Sequence, residues 1–560
     1  ARAVCSAVFP RENLTVQAST PLPARDPDHA AVVSAAWSQR ASSRVAWAGF
    51  GVLLAMSVAV FWIFDALPFQ DLPAHAGLIE LRHRFATSPF EQRFYVFAPH
   101  IGPYSLFRFL GECFVRVMGP VSAVRMIGTL PMVATPFALL FGRWRLHGDR
   151  TATTGFLGIA LSFGLMTLLG FASYTLGVAV MLVGLTLWLE LLVAADDKAS
   201  TVTRELVVAV YAAFIFVAHG HAFVLFLILA GIATLACGDR WRRLLRLRAL
   251  VPALSLAAYV AWLEHGTKAP PGAVPAAQAN FELHFQAPYD KLSLLVTPTL
   301  ISRTGIDIAI GAVLWTLLVG AVVATTRDRL IAIDGGSTSL RTMIEKKHAK
   351  ALLAGALVIG AIFLALPHAI GWFGFVDGRL VPLFLFLCVL GYRRPSLGWF
   401  GPALDRAAPV LAFGMTALAL VASWRFQAEA RGYHEILADV PTEAHLLNLP
   451  IDPNSSIFTA HPFIHYDKLA LAERPIIVSD IWYHQGTALY PTSENPAPRL
   501  PTSYSESNLL VIEWNKYKMS DWDYALLRTR PEAAQPWTPP YLTLADHRGG
   551  WWLFKISHDK

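Results

Sequence analysis

FDALPFQDLPAHAGLIELRHRF, residues 64–85, follows an apolar run at 45–64 that is long enough to cross a bilayer. Asp71, His75, Glu80, Arg82, His83 and Arg84 crowd together within it, where the chain would leave the membrane. If 71–86 is helical, Asp71 and His75 lie one turn apart on one face. Ionisable groups at such a boundary are functional candidates, because burying charge beside lipid is costly. A carboxylate there suits general-base work toward a hydroxyl, and cations close by suit a phosphate leaving group. The same residues also fit a solvated interfacial helix whose charges meet lipid headgroups.

Outward from this stretch the chain is strongly apolar. Of its 560 residues, 55% are hydrophobic and only 15% charged, and the mean hydropathy is +0.46. Soluble domains carry about 25% charged residues, so a disordered tail, a disulfide-rich secreted module and an ordinary cytosolic enzyme are excluded. Further apolar runs cover 121–141, 153–171, 174–195, 206–220, 221–237, 249–264, 306–325, 351–367, 380–392 and 408–424. Unbroken runs of this kind predict helices, since a spanning barrel shows short alternating segments. The fold class expected is a polytopic α-helical membrane protein of about 11 spans, with interfacial helices in the first outer loop.

The net charge of +7 resolves along the chain. Residues 1–423 hold 34 Lys+Arg against 23 Asp+Glu, whereas 424–560 hold 12 against 16. The basic excess lies in short connections at 143–150, 238–248, 326–350 and 393–394, which the positive-inside rule assigns to the cytoplasm. This charge pattern implies membrane orientation, not nucleic-acid binding. The connection 196–205 carries no such excess. Residues 1–44 read as a mobile cytoplasmic leader and 45–424 as the transmembrane domain, with outer loops at 65–120 and 265–305. Within the first of these, Arg108, Glu112 and Arg116 at i, i+4, i+8 predict an amphipathic helix lying in the interface. The segment 425–560 alternates short β-like runs with Pro, Asn, Ser and Gly, predicting a small outward-facing α/β or mainly β domain. Cys5, Cys113, Cys237 and Cys388 form no C-x-x-C and predict neither a disulfide framework nor a zinc site.

An Asp just after the first span is followed by two juxtamembrane helical stretches. A run from Pro103 to Gly119, Pro120, Ser122, Ala123, Val124 and Arg125 comes next. This arrangement resembles the C superfamily of membrane glycosyltransferases, the group of the lipid A aminoarabinose transferases and protein O-mannosyltransferases. The likeness covers roughly 45–180 at motif level and the rest as architecture. It implies a donor sugar on polyprenyl phosphate, no certain cofactor beyond that (a divalent metal remains compatible), and a glycan, lipid or protein acceptor at the outer face. It implies Asp71 as the base that deprotonates the acceptor. It also implies a donor-phosphate arginine near an outer span end, where Arg379 stands in HAIGWFGFVDGRLVPLF. The alternative for Arg379 is a helix-end residue paired with Asp377. Two departures stand out: the next outer loop, GFASYTLG, has no carboxylate, and the first motif reads DLPAH where many members have a D-E pair.

His75, Glu80, Arg82, His219 and His221 complete the expected donor-binding set, the last two from FVAHGHAF between two spans. In the tail, His461 and His465 are four apart in HPFIHYDK, a spacing that binds zinc on a helix, although Pro462 and the aromatics argue against helix. Trp482, Tyr483, Trp514, Trp522, Trp551 and Trp552 offer either sugar-stacking surfaces or core. The expected protein is an inner-membrane sugar transferase of a bacterium, N-terminus cytoplasmic and C-terminal domain periplasmic. A non-catalytic subunit with the same fold is the alternative. A transporter fits less well, because the spans are nearly free of central charges.

Overall fold

The computed structural model describes residues 27–98, 101–193, 198–237, 241–266, 270–274, 282–296, 299, 301–331, 339–371, 373–398, 400–482, 487–506 and 511–558. Residues 1–48 and 49–560 form two units. Up to residue 26 the expected leader lies outside the described residues, and a helix, α1, covers Pro27–Ala59. The segment after it contains α2 (Leu72–Arg84), α3 (Pro89–Phe94), β1 (Tyr95–Phe97) and α4 (Ser105–Met118). The helical domain continues with α5 (Pro120–His147), α6 (Thr153–Ser162), α7 (Leu165–Leu168), α8 (Ala172–Val193), α9 (Lys198–Ala218), α10 (Gly220–Ala236) and α11 (Val251–Gly266). The next segment holds β2 (Leu283–His284) and α12 (Pro288–Val296); then come α13 (Ile306–Ile331), α14 (Leu340–Ala365), β3 (Ala369–Ile370), α15 (Leu380–Gly391) and α16 (Phe400–Glu429).

Among the described residues, seven helices are long and apolar enough to cross a membrane. Shorter apolar helices at Ser43–Ala59, Thr153–Ser162, Gly220–Ala236 and Leu380–Gly391 coincide with the other expected runs. Leu206, Val210, Trp262, Leu357, Val410 and Trp424 are exposed on the helix surfaces. Apolar exposure on that scale fits a lipid surround. The chain is an integral membrane protein.

The basic connections gather at one end of the bundle through ion pairs. Arg145 meets Glu190 at 2.6 Å and Arg246 meets Glu205 at 3.0 Å. Arg393 lies 3.8 Å from Glu345, and His348 Nδ1 is 3.1 Å from Leu146 O. Glu205 thus brings the connection 196–205, which carries a net charge of −1, to the same end as the basic 241–250 turn. Arg143 is not a free loop charge: it is fully buried, paired with Asp149 at 2.7 Å.

At the opposite end the segments that hold α2–α4 and β2–α12 meet the C-terminal domain. That domain comprises α17 (Tyr433–Ala438), β4 (His445–Pro450), α18 (Lys468–Glu473), β5 (Ile477–Val478), β6 (Leu489–Pro491), β7 (Tyr524–Arg528), β8 (Leu542–Arg548) and β9 (Trp551–Ile556). Its five-stranded sheet has the order β5-β4-β7-β9-β8, with β4 parallel to both neighbours and the remaining pairs antiparallel. Trp514, Trp522 and Trp552 are buried in its core beside Leu447, Leu449 and Phe554, and Trp551 is buried too. Those four tryptophans are packing residues. β1 pairs antiparallel with β6, Tyr95 opposite Pro491, and β2 with β3, Leu283 opposite Ile370. The segment after α1 is therefore stitched to the C-terminal domain by backbone hydrogen bonds.

Candidate active site

α2 begins at a proline-bearing first turn and ends in Arg82, His83 and Arg84, basic residues that suit the negative end of a helix dipole. Leu72, Ala74, Ala76, Gly77, Ile79 and Leu81 are buried, so this is no solvated interfacial helix. It packs against α4, α5 and α18. A Cβ on Gly77 would lie 2.9 Å from Lys468 O, so the glycine permits the close approach of α18. Asp71 stands at the N-cap but makes no capping bond with its side chain, which leaves the carboxylate free for the cavity beyond. Its backbone is pinned: Gln70 N–H donates to Leu168 O at 3.0 Å and Asp71 N–H to Leu169 O at 3.2 Å. Gly170, at φ +77°, touches this turn so closely that a Cβ would lie 2.8 Å from Asp71 N.

A cavity of about 850 Å³ opens at this point. Asp71, His75 and Tyr104 line it from the segment after α1, Phe171 and Tyr174 from the start of α8, His219 and Arg379 from the starts of α10 and α15, and His461, His465 and Trp482 from the C-terminal domain. The Asp71 side chain is 13% exposed. Burial pushes its pKa up to about 6, against the opposing pull of His465, a hydrogen bond from Gln70 at 3.4 Å, and Arg379. A carboxylate poised there is ionised at neutral pH yet basic enough to take a proton. One turn on, His75 lies between the rings of Phe107 and Trp482, at 4.4 and 4.9 Å. Burial pushes it down to about 3, so the ring is neutral.

Arg379 precedes α15 and is 5% exposed. Its guanidinium lies over Phe373 at 4.1 Å, Phe171 at 4.5 Å and Tyr174 at 5.5 Å, a cation–π cage. Tyr174 O–H donates to the Arg379 carbonyl at 2.5 Å. Nη2 donates to Gly374 O at 3.3 Å, and among the described residues the guanidinium has no ion pair. The expected alternative partner, Asp377, is taken by His368 at 2.9 Å and Lys291 at 3.5 Å.

The other expected residues separate. His219 lines the cavity as the N-cap of α10, accepting from Ala222 N–H at 3.4 Å, with its ring 4.8 Å from Tyr104. His221 sits behind, against Tyr174 and Phe373 at 5.7 and 6.3 Å, and does not line the cavity. Glu80 and Arg82 do not line it either. Glu80 is turned about 140° around α2 from His75 and pairs with Arg84 at 3.5 Å, while Arg82, two turns beyond, lies 5.6 Å from the Phe97 ring.

His461 and His465 are four apart but occupy turns, and they take different partners. His461 Nδ1 lies 2.6 Å from Asn454 Oδ1. His465 lies with Nε2 3.6 Å from Asp71 Oδ1 and Nδ1 3.0 Å from Glu506 Oε2. Among the described residues no group of three or more His, Cys, Asp or Glu is arranged to hold a metal ion. Glu506 Oε1 accepts from Lys468 Nζ at 2.5 Å, Asn448 Nδ2 at 3.0 Å and Tyr504 O–H at 3.1 Å. Burial alone would raise the Glu506 pKa, but Lys468 and His465 outweigh it and hold it low. Nothing local in the sequence marks Glu506 or Lys468. Gln70 stood beside Asp71 in plain view, and Phe171, Tyr104 and Phe373 carried no signal beyond being aromatic in outer loops. Tyr483 lies outside the described residues.

The fold is shared with solved structures of ArnT. The chain is similar to ArnT, the lipid A aminoarabinose transferase, from Cupriavidus metallidurans. In the apo state ArnT aligns with a TM-score of 0.52 at 12% identity, over 92% of this chain and 98% of that one. The same enzyme bound to undecaprenyl phosphate aligns at 0.50 and 12%, over 91% and 98%. The arabinofuranosyltransferase AftD from mycobacteria aligns at 0.48 and 16%, over 91% of this chain and 40% of its own. No protein-family model and no curated protein matches the sequence, so the likeness is one of fold.

Proposed function

We propose that this protein transfers a sugar from a polyprenyl-phosphate carrier to an acceptor at the outer face of the membrane, with Asp71 as general base. One observation carries the reading: a cavity wall holds a buried arginine that has no ion pair among the described residues, and the same cavity holds a carboxylate tuned to about 6. A buried cation without a counter-ion calls for an anionic ligand, and the planar guanidinium matches phosphate oxygens. The fold is shared with a transferase whose structure contains undecaprenyl phosphate. On this reading the four shorter apolar helices complete the spans, and the basic end of the bundle is cytoplasmic.

The chemistry follows as a displacement at the sugar's anomeric carbon. The acceptor O–H gives its proton to an Asp71 carboxylate oxygen as its oxygen bonds to that carbon. The bond from carbon to phosphate oxygen breaks, its electron pair leaves on the phosphate, and Arg379 meets the developing charge. The configuration inverts. Phe171, Tyr174 and Phe373 hold the guanidinium flat, so little ordering is required when phosphate arrives. Neutral His75, between Phe107 and Trp482, shapes the wall near Asp71, and His219 fixes the Tyr104 and Tyr174 rings.

The test uses purified full-length protein with undecaprenyl phosphate and a panel of undecaprenyl-phosphate sugars. Arg379→Ala should weaken undecaprenyl phosphate binding about 10- to 100-fold, the loss of charge-assisted hydrogen bonds. Asp71→Asn should keep binding and lower transfer about 10²- to 10⁴-fold. Normal transfer by Asp71→Asn overturns the assignment of the base. Binding without transfer of any sugar by the unmodified protein points to the non-catalytic subunit, a reading that the missing carboxylate in 170–177 favours.

A further inference from the structure

The candidate base comes from the first outer loop, yet its nearest cation comes from the far end of the chain. His465 stands between two carboxylates, Asp71 on one ring nitrogen and Glu506 on the other. Glu506 is buried and saturated with donors: Lys468, Asn448, Tyr504 and, at 3.4 Å, Ser479. It is therefore a fixed anion, and a fixed anion on Nδ1 makes the imidazole a double donor whose Nε2 proton faces Asp71. We propose that the C-terminal domain supplies His465 as a positioning residue for Asp71, an imidazolium clamped by Glu506 that keeps the Asp71 carboxylate charged and aimed into the cavity. The catalytic meaning rests on the transferase reading above; the electrostatic coupling itself does not.

The surrounding charges are consistent with it. Asp71 is faced by Gln70 from its own turn, by Arg379 from the start of α15 and by His465, while neutral His75 adds no charge. His465 is faced by Glu506 and Asp71, which favour its cation, and by Lys468, which opposes it. Burial also opposes the cation, yet the carboxylates win and its pKa is raised. Asp467 and Asp480 lie further into the same cluster, and both are influenced by His465. The Trp482 ring covers the imidazole edge-on at 5.4 Å, shielding the pair from water.

The experiment titrates Asp71 itself, in the full chain reconstituted in lipid nanodiscs. The carboxylic C=O infrared band of Asp71 is assigned by its loss in Asp71→Asn and followed from pH 4 to 9. His465→Asn should move the Asp71 midpoint upward by about 1–3 units, the effect of removing an opposite charge at this range. Tyr466→Phe, which removes an uncharged bond from the adjacent residue to Leu67 O, should leave it in place. An unmoved midpoint in His465→Asn, or an equal move in Tyr466→Phe, overturns the proposal. Should His465→Asn fail to fold, Glu506→Gln carries the same expected rise, and an unmoved midpoint there is equally fatal. A midpoint that shifts in a protein with no transfer from any undecaprenyl-phosphate sugar supports the coupling and overturns the transferase reading. Transfer with an unmoved midpoint does the reverse.

Discussion

On the helical-bundle side of the cavity, Arg379 is buried among aromatic rings, and among the described residues no carboxylate pairs with it. On the C-terminal side, Lys468 is as deeply buried but meets Glu506 at 2.5 Å and Asp467 at 3.1 Å. The first arrangement leaves a charge unmatched inside the protein, and the second neutralises one. Buried charges that are paired and hydrogen-bonded hold structure together, whereas an unmatched one is retained for a ligand. Asp71 lies where the two regimes meet, attached to the first by its backbone and to the second by His465.

The contrast can be broken most severely at the lysine. Lys468→Met strands two carboxylates and should destabilise the protein by about 3–5 kcal/mol, whereas Arg379→Met should cost under about 1 kcal/mol. Thermal unfolding of both variants in one detergent checks this, and equal losses would erase the distinction. A smaller effect is expected at Gly170, where the left-handed backbone and the contact with Asp71 N both exclude a side chain. Gly170→Ala should cost about 1–3 kcal/mol and depress transfer more than undecaprenyl phosphate binding, because it displaces Asp71 and not Arg379.

The smallest effect concerns Asp71 and pH. Its folded pKa of about 6 lies above the unfolded value of about 3.9, so folding disfavours its charged form. The stability linked to its proton is present below about pH 4 and lost as pH rises through about 6. Asp71→Asn should accordingly raise the melting temperature at pH 8 and leave it nearly unchanged at pH 4. A variant that lost both transfer and stability at pH 8 would show Asp71 to be a structural ion-pair partner and not a base held at a cost.

The helical bundle was legible because hydropathy is local: about twenty consecutive apolar residues form a helix in lipid whatever else the chain does. The expected runs from 45–64 to 408–424 contain helix, with 153–171 broken after Ser162 into α6 and α7, and the amphipathic helix expected within 101–118 is α4, with Glu112 and Arg116 paired at 2.8 Å. Asp71 and His75 came together on one face because i, i+4 spacing settles that within a single turn. The same local reasoning placed Glu80 and Arg82 in the site by proximity in sequence, and it had no means of separating His219 from His221. Helical spacing already turns Glu80 from His75 toward Arg84, one turn on, whereas only the packing set Arg82 on Phe97 and put His221 behind Tyr174.

What the sequence alone determined was a membrane-spanning helical chain with a carboxylate placed just after its first span and an acidic stretch over 424–560. Tertiary structure decided what that carboxylate meets. Gly77 admits α18, β1 pairs with β6, and His465 and Glu506 are thereby carried to Asp71 from a domain encoded far along the chain. Charge coupling depends on distances of a few ångströms, which no local pattern of residues encodes.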